Sequence, residues 1–424
     1  MGGTSVIPET AFNGAWLANP SERFRYRKAF AFEQERLSAA TDLRTKGVVV
    51  AAEDPVLFCA QLFAALAEAL PVWLRSASPG RDDELRFADI HDQYGVSPFG
   101  SLFIPTGGTS GGLRFARHSW GSVQAAADGL QHRFAADALR SWCCLPMRHV
   151  AGLMQVVRAV VSGGDVHFGE YRDLAEESFP RKFIENRLVS LVPTQLARLL
   201  SSPVAIANLR SATAVFVGGG PMQADMRSRA RELDLPVAPT YGTTETAGMV
   251  TLLSPELFLA GREGVGTPMP GTELAFDERG ILQIRSESLC SGYHDRDFVK
   301  NTWFQTADLG FLDKQGSLQI EGRLDRLVNT GGVKVDPAKV EQAILDTGLV
   351  EKCFVAGMPD PEWGECLVAF CVPVSVSPDA VQVALTARLA RSQVPKILLP
   401  MDRLPLDELG KPDTDAMIAA VAER

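Results

Sequence analysis

Five short apolar runs between residues 141 and 240 constrain the fold of this chain more than any other feature. They recur at roughly 24-residue intervals, and several of the intervening stretches show the three- and four-residue apolar spacing of a helix. Short buried strands that alternate with helices are typical of βαβ units, whose strands are parallel. We therefore predict a parallel sheet from the segments 141–145, 165–168, 188–192, 213–217 and 236–240.

Two polar stretches directly follow predicted strands of this sheet. "GGGP" (218–221) comes after the run at 213–217, and "YGTTET" (241–246) comes after the run at 236–240. In parallel sheets, ligands bind beyond the carboxyl ends of the strands. Both stretches are therefore candidate binding loops.

The pattern changes on either side of this region. Before it, the apolar spacing of 55–70 predicts a helix; after about residue 264, short alternating segments favour antiparallel strands. The charged stretch 323–326 has no apolar pattern and is typical of a linker. Beyond it, the sequence predicts helices at 337–347 and 378–391, which flank a pair of strands.

The 424 residues exceed what one hydrophobic core usually supports, so we expect two domains. We predict an α/β fold class. A large N-terminal domain (1–322) combines mixed sheets and helices with a parallel α/β core and a β-rich end. A small, mobile α+β C-terminal domain spans 323–424.

Composition excludes several classes of protein. A net charge of −9 argues against nucleic-acid binding. The seven cysteines show no C-x-x-C spacing, so we expect reduced thiols rather than a zinc site. No secretory leader pattern and no membrane-spanning apolar run occur, which favours a cytoplasmic protein without membrane insertion. The sequence leaves a homo-oligomer open.

The segment "PTGGTSGG" (105–112) is rich in glycine and hydroxyl groups. Glycines let consecutive backbone N–H groups point into one concavity, which suits phosphate oxygens. It is not a Walker A loop, because Gly112 is followed by Leu113 rather than by Lys and Ser or Thr. The alternative interpretation is a flexible connection.

"YGTTET" offers a flat ring at Tyr241 and a hard carboxylate oxygen at Glu245, which suits Mg²⁺. The alternative is a polar turn that leads into a helix, with Thr243 or Thr244 as the N-cap.

Four further positions are candidates. Asp308 in "TADLG" could accept the hydroxyls of a ribose or simply occupy a β-turn. The segment 322–337 is either a hinge or an ordinary solvated linker. Lys411 in "ELGKPD" stands on a stiff turn, but most lysines of this kind are plain surface residues. His149 either lines a pocket or lies at the edge of the core.

The order of these motifs resembles the acyl-adenylate-forming family, which includes acyl- and aryl-CoA synthetases, luciferases and peptide-synthetase adenylation domains. A phosphate loop, a "YG-x-T-E" segment, a T-G-D-like turn, a "GR-x-D" hinge and a late Gly-Lys occur in that order over roughly residues 100–415. "LPMRHVAGLM", "SLVPTQLARLL", "PTYGTTETA" and "GTPMPGTEL" look like the o-succinylbenzoate–CoA ligases of menaquinone and phylloquinone biosynthesis within this family.

The resemblance implies a ligase that uses ATP, Mg²⁺ and coenzyme A. The carboxylate of a small acid attacks the α-phosphate of ATP, and the sulfur of coenzyme A then displaces AMP from the acyl-adenylate. The alternatives are another acyl- or aryl-CoA ligase of the family, or a nucleotide-binding relative that has lost turnover.

The resemblance also implies a role for each matching residue. The β- and γ-phosphates would be bound by Thr106, Gly107, Gly108, Thr109, Ser110, Gly111 and Gly112. The adenine would be bordered by Gly218, Gly219, Gly220, Pro221, Tyr241 and Gly242, with Tyr241 stacked on it. Thr244 would contact the α-phosphate, and Glu245 would hold Mg²⁺. Asp308 and Arg323 would bind the ribose, and Asp325 would be the hinge. Lys411 would bridge the carboxylate and the α-phosphate, Gly332 would flank the pantetheine tunnel, and His149 would border the acyl pocket.

The chain departs from the family pattern in three places. Gly108 stands where the phosphate loop commonly has Ser or Thr. The phosphate loop continues with Leu113-Arg114 instead of Pro-Lys, and an arginine keeps the charge but changes the donor geometry. The glycine of T-G-D is replaced by Ala307, so we expect a backbone without positive φ there.

An o-succinylbenzoate pocket has to neutralise a second carboxylate that does not react. The candidates are Arg148, Arg158, Thr194 and Gln195. Thr194 has an alternative role as the N-cap of the helix that follows Pro193.

Overall fold

The computed structural model describes residues 7–39, 43–94, 100–107, 113–299, 302–406 and 412–422. Their chain path divides into two units. The first comprises the described residues of Met1–Ala275, Gln283–Gln305 and Leu312–Gln319, and the second those of Phe276–Leu282, Thr306–Phe311 and Ile320–Arg424. The single boundary expected between residues 322 and 323 stays a prediction.

The first unit begins with helices and a four-stranded sheet. Its helices are α1 (Glu9–Asn13), α2 (Pro20–Ser38), α3 (Leu43–Lys46), α4 (Pro55–Ala67) and α5 (Arg81–Tyr94), and its strands are β1 (Val48–Val50), β2 (Val72–Leu74), β3 (Leu102–Gly107) and β4 (Leu113–His118). The first three strands are parallel, and β4 returns antiparallel to β3. Helix α4 confirms the prediction for 55–70. It begins after Asp54, whose side chain accepts a hydrogen bond from Leu57 N at 2.9 Å.

A seven-stranded sheet follows. Its strands are β5 (Ser141–Cys143), β6 (Val166–Phe168), β7 (Leu188–Leu191), β8 (Ala214–Val217), β9 (Val237–Thr243), β10 (Gly248–Leu252) and β11 (Thr267–Pro268). The helices around it are α6 (Trp120–Phe134), α7 (Val150–Ser162), α8 (Pro193–Leu199), α9 (Pro203–Leu209), α10 (Ala224–Glu232) and α11 (Pro255–Leu259).

The strands of this sheet lie in the order β11-β10-β9-β8-β7-β5-β6. The five predicted strands β5 to β9 are parallel to their neighbours, whereas β10 and β11 are antiparallel additions at one edge. Every residue of β7 and β8 is buried, as expected for strands that are covered on both faces. The predicted parallel α/β core is therefore confirmed.

The main core of the first unit forms around α4 and α7. Phe58 and Phe63 of α4 are fully buried, and Phe63 packs against Trp16, which meets Tyr26 of α2 edge to face at 5.5 Å. Burying one such side chain contributes about 1.5–3 kcal/mol. Helix α7, which carries the candidate Arg158, is part of this buried core.

Four further strands come after residue 264, as expected. They are β12 (Thr272–Phe276), β13 (Ile281–Ser286), β14 (Phe304–Leu312) and β15 (Leu318–Arg323), and they form a sheet in sequence order.

The second unit ends in a sheet with helices. Its later elements are β16 (Val328–Thr330), β17 (Val333–Val335), α12 (Pro337–Leu345), β18 (Lys352–Asp360), β19 (Gly364–Val372), α13 (Pro378–Thr386), β20 (Ile397–Pro400) and α14 (Thr414–Ala422). Antiparallel β18 and β19 are the predicted strand pair, and β20 adds parallel to β19. Helix α13 ends five residues earlier than the predicted end at 391, because Gln393 accepts from Ala390 N and closes a separate 3-10 turn. The predicted α+β class of this part is confirmed.

In the part of the chain that the structure describes, no helix combines the length and apolar character needed to cross a membrane. All seven cysteines lie in the described ranges and carry free thiols, as expected.

Candidate functional site

The glycine-rich segment is the end of a β-hairpin. In the pairing of β3 with β4, Thr106 lies opposite Arg114 and Gly107 opposite Leu113. The connecting residues Gly108, Thr109, Ser110, Gly111 and Gly112 lie outside the described residues, so their phosphate contacts stay a prediction.

Thr106 connects this hairpin to Glu245. Its hydroxyl donates to Glu245 Oε1 at 3.4 Å, although the two residues are 139 positions apart in the chain. The predicted phosphate loop therefore starts next to the predicted metal-binding carboxylate, and both lie in the first unit.

Glu245 lies in a tight 3-10 turn, Thr244–Thr246. The alternative holds in part: Thr243 is the N-cap of this single 3-10 turn, but no longer helix follows, because the chain continues into β10 at Gly248. Tyr241 and Gly242 also belong to strand β9 rather than to the expected loop. The two strands approach so closely that a Cβ atom on Gly242 would lie 1.9 Å from the carbonyl oxygen of Gly248, which only glycine allows.

The carboxylate of Glu245 has a partner that the sequence did not indicate. The hydroxyl of Tyr293 donates to Glu245 Oε1 at 2.9 Å, and both side chains are buried. Burial, with the neighbouring Glu245 as a second cause, raises the pKa of the Tyr293 phenol, so the hydroxyl keeps its proton and remains a donor. Tyr293 lies in no spacing or periodic pattern that could have revealed this contact.

His118, at the end of β4, holds the backbone of the same turn. Its Nε2 lies 2.8 Å from the carbonyl oxygen of Thr244, and its Nδ1 lies 2.9 Å from Ser122 Oγ. The sequence gives no indication of this contact either, since a lone histidine at a strand end carries no signal.

The "GGGP" stretch lies beside Tyr241. It follows β8, which pairs in parallel with β9 so that Val217 lies opposite Pro239. Gly218 leaves no room for a side chain, because a Cβ there would lie 2.5 Å from Thr240 Oγ1. The structure thus brings the predicted adenine-binding residues together at the carboxyl ends of two neighbouring strands, β8 and β9.

Arg158, on α7, is a buried cation in the first unit. Its guanidinium lies 5.9 Å from the centre of the Phe216 ring, and only 4% of the residue is exposed. Burial lowers the pKa of its guanidinium to about 10. Among the described residues, no acceptor bonds its Nε atom and no carboxylate forms an ion pair with it. Such a group favours an anionic ligand.

The other candidates for binding the carboxylate that does not react are Gln195, Thr194 and Arg148. Helix α8 begins after Val192, and the side chain of Gln195 accepts from Val192 N at 3.1 Å. The alternative role of Thr194 as the N-cap is therefore wrong, because Val192 occupies the N-cap position and Thr194 lies in the first turn of α8. His149 is the N-cap residue of α7, which follows Arg148. The ligand contacts of His149 and Arg148 stay predictions.

In the second unit, Asp308 and Arg323 form an ion pair, and their predicted contacts with a ribose stay a prediction. Arg323 Nη1 lies 3.1 Å from Asp308 Oδ1, and the same guanidinium binds Asp325 through Nε at 2.9 Å and Nη2 at 2.7 Å. The alternative of a β-turn around Asp308 is wrong: Thr306, Ala307 and Asp308 lie inside β14, where Ala307 has the negative φ that we expected.

The expected linker at 323–326 is an ordered 3-10 turn, Leu324–Arg326, because ion pairs hold its charged side chains. Arg326 pairs with Glu341 at 2.7 Å. Gly332 follows β16 with a φ of 83°, which favours glycine. Lys411 lies outside the described residues.

The donor set of the site fits a divalent cation that arrives with a nucleotide. Glu245 offers a carboxylate, and Mg²⁺ is usually held by one or two carboxylates together with substrate phosphates. The described residues contain no group of three or more His, Cys, Asp or Glu side chains that could hold a metal alone.

Two family models match the sequence. Residues 100–294 match the AMP-binding enzyme family and residues 339–411 match the AMP-binding enzyme C-terminal domain. The chain is 31% identical over 338 residues to a probable 2-succinylbenzoate–CoA ligase of Mycobacterium tuberculosis, covering 76% of this chain and 85% of the relative. It is 26% identical over 396 residues to the 2-succinylbenzoate–CoA ligase of Bacillus velezensis, covering 89% of this chain and 79% of the relative.

Solved structures show the same fold. The o-succinylbenzoate CoA synthetase of Bacillus subtilis in complex with the acyl-adenylate intermediate aligns over 92% of this chain and 91% of its own, with a TM-score of 0.76 and 21% identity. Its complex with ATP and magnesium aligns over 92% and 93%, with a TM-score of 0.75 and 22% identity.

Proposed function

Because this chain belongs to the family of AMP-binding enzymes, we propose that it ligates o-succinylbenzoate to coenzyme A with the use of ATP. In the first half-reaction, a carboxylate oxygen of the acid attacks the α-phosphorus and pyrophosphate leaves. In the second, the sulfur of coenzyme A attacks the acyl carbon, AMP leaves, and the thiol proton passes to solvent. The product is the thioester.

The meeting of Thr106 with Glu245 is the observation that carries this proposal. The acid and the triphosphate are both anionic, so their approach requires cationic and dipolar groups that are already in place. Glu245 would hold Mg²⁺, which neutralises phosphate oxygens when it is bound. Thr244 and the residues that follow Thr106 would supply hydrogen-bond donors to the phosphates.

The remaining nucleotide contacts follow from the same family pattern. Tyr241 and the loop 218–221 would border the adenine, which is supported by their position at the carboxyl ends of the neighbouring strands β8 and β9. Asp308 would accept hydrogen bonds from the ribose hydroxyls. Its carboxylate is held by Arg323 at 3.1 Å, so it is oriented before a ligand binds.

Arg158 supports the choice of o-succinylbenzoate as the acid. This substrate carries two carboxylates, only one of which reacts, and the second requires a cation in an otherwise apolar pocket. Arg158 supplies a buried positive charge beside the ring of Phe216. Gln195 is the weaker candidate, because its side-chain oxygen caps α8.

The substrate is tested by pyrophosphate release from ATP with a panel of acids: o-succinylbenzoate, benzoate, 2-methylbenzoate and octanoate. We expect o-succinylbenzoate to give the highest kcat/KM. Much faster turnover of a benzoate or a fatty acid would reject the substrate and leave the reaction type intact. ATP binding in a calorimeter without pyrophosphate release from any acid would instead support a non-catalytic relative.

We also propose that the enzyme works in the cytoplasm. The seven free thiols support this location, because reduced cysteines are usual there.

A further inference from the structure

Glu245 uses its two carboxylate oxygens unequally. The hydroxyls of Tyr293 and Thr106 both donate to Oε1, at 2.9 and 3.4 Å. Within the described ranges, no hydrogen bond reaches Oε2. The backbone carbonyl of Glu245 is held separately, by Cys290 N at 2.8 Å. The side chain therefore has one occupied oxygen and one that is left for a ligand.

Tyr293 is fixed from several sides. Its backbone N donates to Arg296 O at 2.8 Å, and the residue bridges to Ala116 of β4. The guanidinium groups of Arg114 and Arg296 lie over its ring at 5.7 and 5.0 Å from the centre, and Phe298 meets the ring edge to face. A ring held in this way directs its hydroxyl at one point.

We propose that Tyr293 is a positioning residue for the metal-binding carboxylate: by occupying Oε1, its hydroxyl turns Oε2 of Glu245 toward the magnesium–nucleotide complex. The inference deepens the proposed function and rests on it, because it takes Glu245 as the Mg²⁺ ligand. It also gives a role to Arg114, which stands where the family pattern has lysine. The planar guanidinium stacks on an aromatic face in a way that an ammonium group does not.

The test compares Tyr293→Phe, Glu245→Gln and the double variant by calorimetric titration with ATP. Each titration is run with Mg²⁺ and again with EDTA, and the acid is left out so that no reaction occurs. We expect Tyr293→Phe to weaken ATP binding about 10-fold in Mg²⁺, the size of one hydrogen bond to a charged group, and to leave binding in EDTA unchanged. In the Glu245→Gln background, Tyr293→Phe should add less than about 2-fold, because two residues that act as one unit are not additive.

Tyr171→Phe is the matched control. It removes a phenol hydroxyl that accepts from Arg198 at 2.7 Å and has no contact with Glu245 among the described residues. We expect its ATP affinity to equal that of the wild type in both titrations. Thermal unfolding of every variant shows whether a loss of affinity reflects folding.

Three results would overturn the inference. Unchanged affinity of Tyr293→Phe beside a weakened Glu245→Gln rejects the role of Tyr293 and spares the metal assignment. An equal effect of Tyr293→Phe in both backgrounds shows that it does not act through the carboxylate. Unchanged affinity of Glu245→Gln in Mg²⁺ removes the metal assignment itself, and the inference with it.

Arg114→Lys provides a second variant if Tyr293→Phe unfolds. It keeps the charge and loses the stacking, so we expect ATP binding in Mg²⁺ to weaken about 3-fold, with no change in EDTA. An equal loss in Mg²⁺ and in EDTA would mean that Arg114 acts directly on the phosphates, against the inference.

Discussion

His118 joins the end of β4 to the turn that carries Glu245, through a 2.8 Å hydrogen bond between its Nε2 and the carbonyl oxygen of Thr244. A carbonyl oxygen can only accept, so Nε2 carries the proton. Burial lowers the pKa of His118 to about 4, and the imidazole is therefore neutral near pH 7. In that state Nδ1 accepts from Ser122 Oγ, and one side chain fixes both the hairpin and the turn.

This burial makes folding stability depend on pH. The pKa of His118 is about 4 in the folded chain, whereas the same imidazole without burial has a pKa of 6.5. As the pH falls, the unfolded chain therefore binds a proton first. The stabilisation is fully present above about pH 6.5 and is lost progressively toward pH 4, by about 3 kcal/mol in total. His118→Gln keeps an N–H donor but does not titrate. Urea unfolding at about pH 7.5 and about pH 4.5 should show a smaller loss of stability for His118→Gln than for the wild type. Equal losses would contradict the prediction.

Arg158→Met should separate substrate recognition from folding. A hydrogen bond to a charged group contributes about 1.5–3 kcal/mol, so we expect KM for o-succinylbenzoate to rise about 10- to 100-fold. Activation of benzoate, which has no second carboxylate, should change little. The melting temperature should not fall, because the variant removes a buried charge that no carboxylate neutralises among the described residues. A similar loss with both acids would place Arg158 outside the carboxylate contact.

The sequence predicted the sheet of the first unit well and its polar contacts poorly. Short apolar runs such as 188–192 and 213–217 indicate strands by themselves, because a strand that is buried on both faces needs apolar residues at successive positions. Tyr293 and His118 carry no such signal: each contact joins positions more than 40 residues apart and depends on the folded backbone. A β-turn was one of two interpretations of Asp308, and it is not the conformation of the folded chain. Ala307 fits an extended strand instead.

Asp308→Asn should reveal whether this carboxylate contacts the ribose. The change removes the charge that pairs with Arg323 and weakens acceptance from a hydroxyl, so we expect KM for ATP to rise about 10- to 100-fold. The sharper measurement uses 2′-deoxy-ATP and 3′-deoxy-ATP. At least one of them should bind less tightly than ATP to the wild type, and Asp308→Asn should show little of that difference. If the variant discriminates against the deoxynucleotides as strongly as the wild type does, the ribose is bound elsewhere.

Lys411→Ala tests the division of the reaction into two half-reactions. We expect adenylation, measured as pyrophosphate release, to slow about 10²–10³-fold, the size of one lost electrostatic donor at a reacting centre. Thioester formation from preformed acyl-adenylate and coenzyme A should proceed at the rate of the wild type, because no charge then has to be neutralised between carboxylate and α-phosphate. Lys352→Ala, which removes an exposed lysine from β18, serves as the control for a general loss of positive charge. An equal slowing of both half-reactions by Lys411→Ala would show that this lysine supports the enzyme as a whole rather than the attack on ATP.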